Sequence, residues 1–131
     1  MYALPALVTA ISLALYMVLG FQVGQARGKY GVKAPATSGH EMFDRALRIQ
    51  MNTLEQLVFF LPSLWLFTIY LDMPKLAAAL GAVWIIGRVL YVRAYTRDPK
   101  TRVLGFVLTI TPASILLLGG FVGIGQQLLA A

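Results

Sequence analysis

The 131-residue chain is 59% hydrophobic and only 12% charged, so it lacks the polar side chains that would cover a soluble globule. It has no cysteine and one histidine, which excludes disulfides and thiolate metal sites, and we expect no metal. The net charge of +6 lies at the ends of apolar stretches and is not interleaved with aromatic residues, so we expect no nucleic-acid partner.

Four apolar stretches follow, each near the ~20 residues that a helix needs to cross the hydrocarbon layer. The first, about residues 2–24, has no charge and no signal-peptide cleavage pattern, so we expect it in the mature protein. After a loop rich in Gly, Pro and Lys, the spacing of Ser38 and Glu41 predicts a capping box. It would start helix two, about residues 39–71, which Pro62 is expected to kink.

Helices three and four are separated by a very short connection. The turn at residues 72–74 begins helix three, about 74–97. Asp98 and Pro99 then have the pattern of an N-cap followed by a first-turn proline, which predicts helix four over about 99–129. Glycines near the end of that helix would allow close helix packing.

Residues 1–131 are therefore predicted to form one domain, an all-α integral membrane bundle of four helices. The basic residues flank the first and third connections, and Lys75 is the exception among the 11 Lys and Arg residues. The positive-inside rule places those two connections in the cytoplasm and both termini in the opposite compartment.

Helix two carries polar side chains where the membrane interior should be apolar. At about 100° per residue, six of them share roughly a third of the circumference. They are Asp44, Arg45, Arg48, Asn52, Glu55 and Gln56. Gln50 points the opposite way. One interpretation is that Arg48, Glu55 and Arg88 form structural ion pairs. Because buried ionisable groups are costly and usually functional, we favour a site for an anionic small molecule at the cytoplasmic end.

Polar residues on the other helices reach the same end. One face of helix three carries Trp84, Arg88, Tyr91 and Tyr95. Helix four adds Arg102 near its start. The tryptophan is interpreted as packing, His40 as a solvated or capping residue, and Arg93, Arg97 and Lys100 as side chains that extend to lipid phosphates.

Two polar segments resemble the MAPEG family, the membrane-associated proteins in eicosanoid and glutathione metabolism. FDRALRIQMNTLEQ is similar to the family signature E-R-x-x-R-x-Q-x-N-x-x-E. RVLYVRAYTRDPKTR resembles the R-x-x-Y-x-x-x-Y-x-R segment and the arginine that follows it in helix four. The sequence departs from the family at Asp44, where glutamate is usual, and at Gln56, which is tyrosine in the leukotriene-producing branch.

This resemblance implies a bacterial-type member of the family, which forms a homotrimer in the bacterial inner membrane. Glutathione, the co-substrate, would bind between protomers. One protomer would hold the tripeptide with Arg48, Asn52, Glu55, Arg88, Tyr91 and Tyr95. Gln50 and Arg27 would reach it from the neighbouring protomer, and Arg102 would lie beside the sulfur and stabilise the thiolate.

The activity implied is that of a glutathione transferase or peroxidase whose lipophilic second substrate arrives through membrane lipid. A non-enzymatic lipid- or glutathione-binding membrane protein of the same fold is the alternative. A small proton-coupled multidrug exporter is disfavoured, because such exporters carry a glutamate in helix one and helix one here has no charge.

Overall fold

The computed structural model describes residues 1–131 as a bundle of four long helices. Their bounds are Ala3–Tyr30 for α1, Glu41–Leu66 for α2, Pro74–Arg97 for α3 and Val103–Ala130 for α4. A π-helical turn, Phe67–Leu71, extends α2, and a 3-10 turn, Pro99–Thr101, joins α3 to α4. All four helices are long and apolar enough to cross a membrane. This confirms the predicted all-α architecture.

The predicted helix boundaries agree best with the structure on either side of the turn at residues 72–74. The predicted bounds of α3 are those observed, and α2 with its π turn ends at Leu71 as expected. By contrast, α1 continues beyond residue 24 to Gly31, which closes the helix at a φ of 68° and donates its N–H to the Arg27 carbonyl. Arg27 therefore lies on the last turns of a helix and not in a loop.

The start of α2 differs from the predicted capping box of Ser38 and Glu41. His40 is the cap, and its Nδ1 accepts a hydrogen bond from the Met42 N–H at 3.1 Å. Ser38 instead donates its hydroxyl to the Asp44 carboxylate at 3.0 Å. The predicted capping box is wrong, because the Ser38 hydroxyl is hydrogen-bonded to Asp44. The interpretation of His40 as a capping residue is confirmed.

The start of α4 also lies later than predicted. The Asp98 carboxylate does cap a turn, since it accepts from the Lys100 N–H at 3.1 Å, but that turn is 3-10 and not α. Regular helix begins at Val103, which leaves Arg102 as the residue immediately before α4. Arg102 therefore lies at the positive end of the α4 helix dipole.

The helices α3 and α4 approach each other closely at two glycines. A Cβ on Gly105 would lie 2.4 Å from the backbone N of Tyr91, and one on Gly87 would lie 2.7 Å from the carbonyl carbon of Leu108. Such distances are below van der Waals contact, so only glycine permits this packing. The close contact sets the position of the first turn of α4 beside Tyr91.

Candidate functional site

A cavity of about 410 Å³ lies between α2, α3 and α4. It is at the basic end, defined here as the end of the bundle with the α1–α2 and α3–α4 connections. Its lining consists of Arg48, Asn52, Tyr91, Tyr95, Arg102, Val103 and Phe106. A polar cleft of about 750 Å³ adjoins it on the side of the connections and shares Arg48 and Tyr95 with it. No carboxylate lines the cavity itself.

Each helix contributes to the cavity through residues one turn apart. Arg48 and Asn52 are four residues apart on α2, and Tyr91 and Tyr95 are four residues apart on α3, so each pair faces one direction. The two tyrosine rings are stacked with centroids 5.6 Å apart. Arg102 is held by a hydrogen bond from its Nη1 to the Pro99 carbonyl at 2.6 Å. The cavity therefore presents guanidinium, amide and phenol groups.

Arg88 lies behind the cavity wall, where it is completely buried. Its Nε donates to Thr109 Oγ1 at 3.1 Å, and its Nη1 donates to Asn52 Oδ1 at 2.8 Å and to Thr53 Oγ1 at 3.3 Å. Its Cζ lies 4.1 Å from the centroid of the Tyr91 ring. Arg88 thus contacts two cavity residues and does not itself line the cavity.

The contact with Arg88 also determines what Asn52 offers to a ligand. A guanidinium has only donors, so the atom of Asn52 that faces it must be the amide oxygen. The amide NH₂ is then the group of Asn52 left for the cavity. The buried arginine thus makes this neutral side chain a hydrogen-bond donor toward the cavity, and donors are groups that favour anions.

Arg27, Gln50 and Glu55 do not line the cavity of their own protomer. Arg27 donates to the Ala36 carbonyl at 2.8 Å, on the α1–α2 connection. Gln50 faces α1, where its Nε2 would lie 3.3 Å from a Cβ on Gly20. Glu55 is exposed on the surface of the bundle.

The interpretation of Arg48, Glu55 and Arg88 as structural ion pairs is wrong. The one ion pair of the chain joins Arg45 to Glu41. The oxygens that accept from Arg88 belong to an amide and two hydroxyls, so no carboxylate neutralises its charge, and its Nη2 has no hydrogen-bond partner. The interpretation of the tryptophan at position 84 as packing is confirmed, since its ring stacks on Phe60 at 4.2 Å.

Four residues of the site were missed from the sequence. Val103 and Phe106 carry no signal, because they are apolar residues in an apolar helix. Thr53 and Thr109 support Arg88. Thr109 could have been found, because it lies two turns after Arg102 on the same face of α4.

The fold and the cavity define an integral membrane protein of four helices with a site rich in hydrogen-bond donors. The MAPEG family model matches residues 5–122, and the chain belongs to this family. The family named from the two polar segments is thereby confirmed.

The chain is similar to an uncharacterised protein of Synechocystis, with 54% identity over 124 residues, which are 95% of this chain and 90% of the relative. It is 36% identical to human microsomal glutathione S-transferase 2 over 124 residues, 95% of this chain and 84% of the relative. With mouse leukotriene C4 synthase it shares 34% identity over 100 residues, 76% and 66% of the two chains.

Proposed function

We propose that the protein is a membrane-bound glutathione transferase or peroxidase that activates glutathione as its thiolate. Its relatives include a microsomal glutathione S-transferase and a leukotriene C4 synthase. The observation that carries the proposal is the cavity lining, in which cationic and neutral donors converge without any carboxylate. An anionic ligand with several acceptor groups suits such a lining, and glutathione has two carboxylates and an ionisable thiol.

The proposed binding mode assigns a chemical role to each group. Arg48 binds a glutathione carboxylate through its planar fork, and Asn52, Tyr91 and Tyr95 donate hydrogen bonds. Arg88 orients Asn52 from behind the wall, a positioning role that replaces the direct contact expected from the family resemblance. Arg102, at the start of α4, lies beside the sulfur.

The remaining members of the predicted site would act at the interface between two protomers. Glu55 is exposed in one protomer, and we propose that it receives the α-ammonium of glutathione in a homotrimer. Arg27 and Gln50 lie on other surfaces of the same protomer and would complete the neighbour's site. The two basic connections would face the cytoplasm, from which glutathione enters.

The energy needed for activation is modest. A free thiol with a pKa of ~8.5 is about 3% ionised at pH 7. Lowering that pKa to about 6.5 makes the thiolate about 75% of the total and requires about 2.7 kcal/mol. One guanidinium beside a helix N-terminus supplies stabilisation of this size.

The thiol proton is released to water on ionisation. In transfer, the sulfur bonds to an electrophilic carbon and the bond from that carbon to its leaving group breaks. In peroxide reduction, the sulfur bonds to one peroxide oxygen, the O–O bond breaks to release the alcohol, and the resulting sulfenic acid condenses with a second glutathione to give the disulfide and water.

Stopped-flow absorbance at the thiolate band tests this proposal without a known second substrate. Mixing purified protein with glutathione should raise the thiolate absorbance between pH 6 and 8. Binding in calorimetry with no such rise would favour the non-enzymatic binding protein. Absence of glutathione binding would contradict the transferase or peroxidase and a glutathione-binding protein alike, and would leave the lipid-binding form of the alternative.

A further inference from the structure

A second cleft at the basic end lies between α1 and α3, away from the cavity described above. Its volume is about 550 Å³. It is lined by Gln22, Gln25, Val92, Arg93, Thr96 and Arg97. None of these residues lines the cavity proposed for glutathione. The cleft is therefore separate from that cavity.

The positive charge of this cleft is not neutralised within the chain. Arg93 and Arg97 are one turn apart on α3, and neither takes part in the one ion pair of the protein. The neighbouring acid, Asp98, uses its carboxylate to accept from the Lys100 N–H. Two exposed guanidinium groups thus face the same cleft with no carboxylate among its lining residues.

The depth of the cleft in the membrane identifies the anion that it would meet. Counted from the first residues of their helices at 1.5 Å per residue, Arg93 and Gln22 both lie about 28 Å along the axis. The hydrocarbon layer is about 30 Å thick. Both side chains therefore reach the same bilayer boundary, where the phosphates of the lipids are located.

The cleft also faces away from the surface that we assign to the neighbouring protomer. On α1, Gln22 and Gln25 are about 140–160° around the helix from Arg27, at 100° per residue. Under the proposed assembly, in which Arg27 reaches the neighbouring protomer, the cleft lies on the opposite side of α1, and we assign that side to lipid.

We propose that this cleft binds the phosphate of an acidic phospholipid. The two guanidinium groups supply forked donors, and the glutamine amides of α1 supply neutral ones. The acyl chains would lie along exposed apolar residues of α1 and α3 such as Val18 and Val89. Because the cleft carries two positive charges and no negative one, it prefers a lipid with net negative charge to a zwitterionic lipid.

Native mass spectrometry of protein released from nanodiscs of equal phosphatidylglycerol and phosphatidylcholine tests the proposal. The wild type should retain phosphatidylglycerol preferentially. Arg93→Gln and Arg97→Gln should each reduce that preference about fivefold, the effect of one basic residue at an anionic surface. Lys100→Gln is the matched control, because it removes the same charge at the same end but outside the cleft, and its preference should stay at the wild-type value.

Two results would overturn the proposal. One is an equal loss of preference in Lys100→Gln and the two arginine variants, which would mean general surface charge. The other is displacement of the lipid by millimolar inorganic phosphate, which would mean a site for free phosphate. Unfolding temperatures in detergent identify a misfolded glutamine variant, and Arg93→Lys, which keeps the charge, should retain the preference in that case.

Discussion

At the scale of single residues, Arg102 separates an enzyme from a binding protein. Arg102→Ala should retain most glutathione affinity at a pH where the bound thiol is protonated. It should lose the thiolate absorbance at neutral pH and slow conjugation of chlorodinitrobenzene about a hundredfold, the effect of losing one preorganised charge-stabilising donor. Arg102→Lys should restore part of the signal, because it keeps the charge without the fork. Stopped-flow absorbance measures each variant.

Lys100→Ala is the control for this prediction, because Lys100 belongs to the same connection but does not line the cavity. It should behave as the wild type. If Arg102→Ala forms thiolate as well as the wild type does, Arg102 is not the activating group. The phenols of Tyr91 and Tyr95, which line the same cavity, would then be tested singly and together.

Arg48 is expected to contribute more to the affinity for glutathione than to the ionisation of its thiol. Arg48→Ala removes one forked donor from the cavity and should weaken glutathione binding tenfold or more, since losing one partner of a desolvated charge pair costs roughly 2–5 kcal/mol. Isothermal calorimetry at constant ionic strength measures the change. Arg93→Ala, which removes an arginine outside the cavity, should bind normally. Equal affinity in the wild type and in folded Arg48→Ala would make the polar stripe of α2 structural.

Asn52 allows the orientation of its amide to be tested. In Asn52→Asp, the new carboxylate can still accept from Arg88, but the cavity loses a donor and gains a negative charge. Affinity for glutathione should fall tenfold or more, while the unfolding temperature stays the same or rises, because the buried cation gains a counter-ion. A parallel loss of affinity and stability would show that Asn52 acts through packing.

At the scale of helices, the approach of α4 to α3 controls the position of Arg102. A Cβ on Gly105 would lie 2.4 Å from a backbone atom of Tyr91, whereas a Cβ on Gly125 meets nothing within 4 Å. Gly105→Ala should therefore destabilise the bundle by about 1–3 kcal/mol and reduce thiolate formation, because the first turn of α4 must move. Gly125→Ala should be neutral or slightly stabilising. Thermal unfolding in detergent distinguishes them, and equal unfolding temperatures would contradict the argument.

Much of the architecture could be predicted from the sequence, because membrane helices must be long, apolar and bounded by polar signals. The bounds of α3 follow from Pro74 at its start and the Asp98 break after it. The hydrogen-bond partner of Ser38 could not be predicted, because its hydroxyl can accept from the Glu41 N–H in a capping box or donate to a carboxylate, and only the folded connection brings Asp44 within reach. Helical periodicity places a residue on one face of its helix, but it does not say which neighbouring helix that face meets.

The same limit applies to the candidate site. Periodicity grouped Arg48 with Asn52 on α2 and Tyr91 with Tyr95 on α3, and these residues line one cavity with Arg102 from the start of α4. The family resemblance added their expected roles toward glutathione. Periodicity also placed Glu55 on the stripe and could not reveal that it has no partner in its own protomer. Arg88 on α3 donates a hydrogen bond to Thr109 on α4, which lies 21 residues later in the sequence. Periodicity within one helix cannot predict such a contact between two helices.

At the scale of the whole molecule, the assembly is the next test. Under the proposed function, Arg27 and Gln50 complete the glutathione site of a neighbouring protomer, since neither lines the cavity of its own. We expect a homotrimer, detected by native mass spectrometry of detergent-solubilised protein at micromolar concentration. A monomer that nevertheless binds glutathione with full affinity would contradict the shared site, and Arg27→Ala should then have no effect on binding.

The cavity adjoins two different solvents, and this has a kinetic consequence under the proposed function. Through Arg48 and Tyr95 it meets the polar cleft of the connections, while Val103 and Phe106 are exposed on the apolar side of α4. The rate then depends on the concentration of glutathione in water, but on the mole fraction of the lipophilic substrate in the bilayer. Its apparent Michaelis constant becomes a mole fraction, so adding inert lipid at fixed total substrate dilutes the substrate in two dimensions and slows turnover.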